Sequence, residues 1–241
     1  TTLCLTGFTL LFLPLDYAGG FRMEHRFGLS NHKLSGWLAD QGKSFALKLV
    51  LTNVFAVTLL ALLRNAPQTW WIWAGCFWLV FGILLSHLFP ILVMPLFYKI
   101  VPLTDEKLKQ RVLALAEKVR VRVVGVFQFD MSRKTKKANA LFTGLGRTKR
   151  IILGDTLLAN FTEDEIEVIL AHEMGHCVHR HIIKQVAGST AMTFLGLWLV
   201  HLVLGGAVTA LGFDSLGSIA VLPLVGFLLS VLAFVAMPLS N

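Results

Sequence analysis

"WWIWAGCFWLVFGILLSHLFPILVMPLFY", residues 70–98, runs its whole length without an Asp, Glu, Lys or Arg. About 20 consecutive apolar residues carry a helix across the ~30 Å hydrocarbon core of a bilayer, so this stretch is long enough to span one. Residues 45–63, 186–213 and 219–239 approach or exceed the same length. A fifth apolar stretch, "LCLTGFTLLFLPL" at residues 3–15, is short and has neither an initiator Met nor the basic flank of a signal peptide. It reads as the tail of a helix that begins before Thr1. Composition agrees with membrane segments: 55% of the 241 residues are hydrophobic, 15% are charged and the mean hydropathy is +0.69. A purely soluble protein is excluded on those values.

The 22 Lys and Arg outnumber the 14 Asp and Glu, and the basic residues sit between apolar runs, where anionic lipid headgroups would meet them. Membrane lipid is therefore an expected partner and nucleic acid is not. Cys4, Cys76 and Cys177 are scattered and imply no disulfide framework. Residues 99–185 stand apart, with 16 of the Lys and Arg and 10 of the Asp and Glu. This is the segment able to build a water-exposed site. Three regions follow: a membrane region 1–98 with a polar loop at 20–44, the charged segment 99–185, and a helical hairpin 186–241. If the charged segment is cytoplasmic, the bias of basic residues puts loop 20–44 on its side and the connections near 65–69 and 212–218 opposite.

Within 99–185, Leu108, Val112, Leu115 and Val119 mark one face of a helix with Thr104 as its expected N-cap. "VRVVGVFQF" (121–129), "ALFTG" (140–144) and "RIILG" (150–154) read as short strands, separated by a basic loop and "LGRTK". A second helix begins at Thr162, which forms a capping box with Glu165, and Glu163, Asp164 and Glu167 suit the positive end of its dipole.

That helix runs into "LAHEMGHCVHRH" (170–181), which holds four of the eight histidines. His172 and His176 are four apart and share a helix face, so both can reach a single zinc ion at about 2.0–2.1 Å. Glu173 adjoins both and is placed to take a proton from a zinc-held water and pass it to a leaving amine. The competing reading is a polar helix face beside lipid. His179 is ~10 Å along the axis from His172, too far for the same ion, so His179, Arg180 and His181 read as outlying polar groups. Cys177 reads as a small packing residue. A tetrahedral catalytic site needs a third protein ligand.

"KANALFTGLG" (137–146) offers a sheet edge at Asn139 and Ala140, to which an extended substrate can add as a strand. An ordinary strand and turn is the equal alternative. "SRKTKK" (132–137) reads as a lipid-facing basic patch. His87 and His201 lie inside apolar runs, where the favoured reading is a hydrogen-bonded histidine facing a wet interior.

With these residues placed, the chain resembles the integral-membrane CAAX prenyl protease family, type I zinc metallopeptidases with an H-E-x-x-H motif. The resemblance rests on "MEHRFGLSNHKLSGWLADQGKS" (23–44), "PLFYKIVPLTDEKLKQRV" (95–112), "NALFTGLGRTKRIILGDTLL" (139–158) and "EDEIEVILAHEMGH" (163–176). It implies a predominantly α, multi-pass transmembrane helical bundle around a water-filled chamber, with an inserted zincin-like α+β catalytic segment. It further implies zinc on His172 and His176, Glu173 as catalytic base, and substrate backbone paired near Asn139 and Ala140. The implied substrate is a peptide or protein, either a prenylated C-terminus or other membrane proteins, and the implied location is a bacterial inner membrane or the endoplasmic reticulum. In the family the third ligand is a glutamate in an E-x-x-A-D stretch that follows a segment resembling "PLSN" (238–241), so it is expected beyond Asn241. The competing class is a non-enzymatic metal-binding membrane protein, a transporter or scaffold; no inverted repeat favours a transporter.

Overall fold

The computed structural model describes residues 2–144, 149–178 and 181–236. Helix α1 (Thr2–Asp16) passes through a π-helical turn (Tyr17–Arg22) into the short α2 (Met23–Arg26). Helix α3 (Leu34–Asn65) is followed by α4 (Trp70–Leu88), a second π-helical turn (Phe89–Val93) and α5 (Met94–Phe97). Strand β1 (Ile100–Pro102), α6 (Glu106–Lys118), β2 (Gly125–Phe129), β3 (Ala140–Thr143), β4 (Arg150–Gly154) and α7 (Asp155–Asn160) build the charged segment. Helix α8 (Glu163–Val178) ends it, and α9 (His181–Ala210) and α10 (Val221–Ala236) return to apolar sequence.

Among the described residues, three helical stretches are long and apolar enough to cross a membrane: Leu34–Asn65, Trp70–Phe97 and Ile183–Ala210. Their outward faces are apolar, with Trp73, Trp78 and Val80 each more than half exposed. Such faces are costly in water and cost nothing against lipid tails.

The chain divides into two compact units. The first comprises Thr1–Thr2, Lys48–Gly82 and Lys184–Asn241. Its core is a stripe of α9, Leu197, Val200, Leu204 and Val208, packed with Leu63, Trp70, Val221 and Val225. The 3-4-4 spacing keeps those four residues on one helix face. Gly75 permits a close crossing, since a Cβ there would stand 2.6 Å from the Phe194 ring. Arg64 Nε donates to Gly217 O at 2.8 Å, so the end of α3 meets the 211–220 connection. His201 is half-buried beside the rings of Trp70 and Trp71.

The second unit comprises Leu3–Leu47 and Ile83–Ile183. Its sheet has the order β1-β2-β4-β3, with β2 and β4 parallel and the two outer pairings antiparallel. The alternation of β4 decides the layers. Ile151 and Leu153 turn to one face, into a core with Leu108, Val112 and Ala116 of α6 and Ile166, Leu170 and Met174 of α8. Ile152 turns to the other, against Met94, Phe129 and Met131. Strand β2 starts at Gly125 rather than Val121, because Arg120 takes a left-handed φ of 57° and residues 121–124 complete the turn out of α6. The N-cap of α6 is Asp105 and not Thr104: its carboxylate accepts the Leu108 amide at 3.0 Å, where the helix dipole favours a negative charge. Lys149 apart, the "LGRTK" connection lies outside the described residues, as do His179, Arg180 and residues 237–241.

Candidate metallopeptidase site

Helix α8 starts where its capping box predicts. The Thr162 amide donates to Glu165 Oε2 at 2.8 Å, and the Glu165 amide returns a bond to Thr162 Oγ1 at 3.4 Å. That backbone bond, with the Thr162 hydroxyl after it, holds the Glu165 carboxyl below its ordinary range. One turn on, the guanidinium of Arg111 on α6 meets Glu163, Asp164 and Glu167. Lys107 adds a 2.9 Å ion pair to Glu163. The three carboxylates push the Arg111 pKa further up, Asp164 most, while Lys107 first and Arg111 second hold Glu163 down. Five charged side chains, two cations of α6 and three carboxylates of α8, thus tie the start of α8 to α6.

Ile166, Leu170 and Met174, spaced by four, are fully buried under the sheet and fix the rotation of α8 about its axis. At about 100° per residue, positions 172 and 176 are about 40° apart on the helix, on the side away from that buried stripe, and position 173 falls between them and the stripe. His172 is exposed and Glu173 half-buried. The backbone of His176 continues the helix one turn further, and its side chain lies outside the described residues, as do those of Cys177 and His181. The donors fit zinc chemically: two imidazoles at i and i+4 on a regular helix, with a carboxylate alongside. Among the described residues no group of three His, Cys, Asp or Glu converges, so no third ligand is found there.

Helix α8 packs against β3, and Ala140 and Phe142 join the same core as Ile166 and Leu170. Strand β3 is an outer strand of the sheet. Asn139 O accepts the Gly154 amide at 2.9 Å, so its carbonyl is directed inward, to β4. Antiparallel pairs alternate between bonded and unbonded residues, which turns the backbone groups of Ala140 and Phe142 to the outer edge. The Asn139 side chain is exposed. Phe142 was not singled out from the sequence, although the two-residue period of "NALF" would have marked it.

The approach to β3 is also fixed. Ser132 donates from its amide to Asp155 at 2.8 Å, and Thr156 Oγ1 donates to Lys137 O at 2.8 Å. On its other side, Ser30 and Thr135 form a β-bridge, with Asn31 N donating to Lys134 O and Lys136 N to Leu29 O. Lys134 is not the lipid-facing cation expected from "SRKTKK". Its side chain is 10% exposed, ion-paired with Asp40 and set over the Tyr98 ring at 4.2 Å. Burying an amino group demands such partners.

Comparison with known proteins agrees with this geometry. The model of peptidase family M48 matches residues 102–241, and that of the CAAX prenyl protease N-terminal region, described as five membrane helices, matches residues 1–99. The chain is 35% identical over 200 residues to CAAX prenyl protease 1 of Saccharomyces cerevisiae, covering 80% of this chain and 44% of that one. It is 30% identical over 237 residues to the uncharacterized metalloprotease YhfN of Bacillus subtilis, covering 97% and 55%. The crystal structure of S. mikatae Ste24p superposes with a TM-score of 0.78 at 35% identity, over 82% of this chain and 47% of that one. The chain therefore spans about half the length of the curated relatives it matches.

Proposed function

The chain belongs to peptidase family M48, and from that membership we propose a membrane-embedded zinc endopeptidase in which His172 and His176 hold the metal and Glu173 is the general base. One observation carries the reading: a helix bearing H-E-x-x-H, capped and rotated by its own buried stripe, lies against β3, the outer strand of the sheet, to which an extended peptide can add. A zinc ion bound there would supply Lewis acidity for the scissile carbonyl and bring a bound water's pKa towards ~7. The Glu173 carboxylate takes the proton of the attacking water and returns it to the departing amine. Ala140 and Phe142 exchange backbone hydrogen bonds with the substrate strand, which aligns it whatever its sequence, and the Asn139 amide adds a side-chain contact. The third protein ligand comes from outside the described residues.

The CAAX prenyl protease relatives support a prenylated protein C-terminus as substrate; other membrane proteins and peptides are the second class. We place the protein in a bacterial inner membrane or the endoplasmic reticulum, with the peptidase segment 99–185 on the cytoplasmic side between membrane regions 1–98 and 186–241. Metal removal tests the reading. The full-length protein is expected to lose peptide hydrolysis to a strong chelator and regain it with zinc, whereas His172→Ala stays inactive after zinc is added. Hydrolysis that survives chelation, or a His172→Ala protein with wild-type turnover, would overturn it.

A further inference from the structure

The peptidase reading leaves unexplained why the polar segment 20–44 is bound so closely to the run 131–137. Lys134 is the least exposed of the charged groups there, and its cation meets Asp40 of α3 and the faces of Phe97 and Tyr98. Asp40 is also approached by Lys43 at 3.4 Å and by His32 Nε2 at 3.6 Å. The Lys134 carbonyl accepts the Asn31 amide, the Lys136 amide donates to Leu29 O, and Lys137 reaches Glu24 at 2.6 Å. Three residues later the chain becomes the edge strand, with Asn139 O already held by Gly154. The run between Lys134 and Asn139 is thus gripped at both ends, by the N-terminal segment at one and by β4 and α7 at the other.

The Gly154 bond to Asn139 O is the first rung of the β3–β4 register, and the residue that arrives at that rung depends on how the chain is held upstream. A strand slipped by one residue would turn Asn139 and Leu141 outward in place of Ala140 and Phe142. We propose that Asp40 and Lys134 are positioning residues: their ion pair anchors the entry to β3, and through it the register in which the edge strand receives substrate. The proposal rests on the peptidase reading, since it concerns the strand that reading assigns to substrate. Asp40 is on α3 and Lys134 precedes β3, outside both the H-E-x-x-H helix and the strand assigned to substrate, so their loss should appear in substrate binding before chemistry.

A cavity of about 490 Å³ lies beside the pair, so water can reach a Lys134 left without its carboxylate, and the variants are expected to fold. In full-length protein, Asp40→Asn is expected to raise KM for a peptide at least fivefold, with kcat within twofold and zinc content unchanged. Lys134→Met leaves Asp40 with Lys43 and His32, and is expected to show the same split. The exchanged pair, Asp40→Lys with Lys134→Asp, should recover most of the lost affinity. Amide hydrogen exchange over residues 136–143 should quicken at least fivefold in both single variants and not in the exchanged pair. That arm needs no turnover, so it decides the proposal even if Glu173→Gln shows the peptidase reading to be wrong. Wild-type KM in both folded single variants, or unchanged exchange over 136–143, overturns it. A fall in kcat and zinc content with KM unchanged also overturns it, since that would mark a general structural role.

Discussion

Asn139 and Ala140 are neighbours with opposite duties. The Asn139 carbonyl is spent on Gly154, while the backbone of Ala140 turns to the outer edge, so in the proposed function a substrate strand would meet Ala140 through its main chain and Asn139 through its side chain. Asn139→Ala should therefore raise KM about fivefold to tenfold, the effect of one hydrogen bond of ~1 kcal/mol or somewhat more, with zinc content unchanged. Turnover equal to wild type across several peptides would return Asn139 to the status of a turn residue. Sequence reading put this pair at a sheet edge, where β3 lies, because strand and turn signals are local. It misread Lys134, whose carboxylate partner is on α3, far upstream, and no local pattern announces a partner so distant.

Helix α8 was legible nearly in full. Its capping box, acidic first turn and H-E-x-x-H spacing are all determined within a turn or two, and the helix begins where they place it. What the sequence could not display is Arg111, whose three carboxylate partners are recognisable only once α6 lies against α8. Strand β1 and helix α7 were missed for a similar reason: elements of three and six residues hold too little periodicity, and pairing with β2 and docking on β4 create them. Thr162→Ala should lower stability by about 1 kcal/mol, the usual worth of such a cap. The check is the thermal midpoint in detergent, and an unchanged midpoint would show that Arg111 alone secures the helix start. Acid should act on the same turn. The Glu163 and Glu165 carboxyls are held below their ordinary values, so their support is complete above the unfolded-state pKa and is lost as pH falls through the depressed folded values.

At the scale of the molecule, the long acid- and base-free stretch at 70–98 identified a membrane protein, and α4 with α5 realises it as a continuous helical run over Trp70–Phe97. Length and hydropathy are enough for that because a bilayer constrains only those quantities. They do not show how the helices pack, which depends on contacts such as Gly75 with Phe194 and Arg64 with Gly217. Within the second unit the α8 histidine face and the β3 edge are built on one core, and the central claim is that this pairing is a peptidase. Glu173→Gln tests it most directly, because it removes the proton acceptor and keeps both imidazoles. Zinc content and peptide hydrolysis are measured on the same preparation of the full-length protein. The account predicts wild-type zinc with hydrolysis reduced by at least about a hundredfold, the lower range for loss of a general base. Hydrolysis at the wild-type rate by the zinc-loaded variant would contradict it.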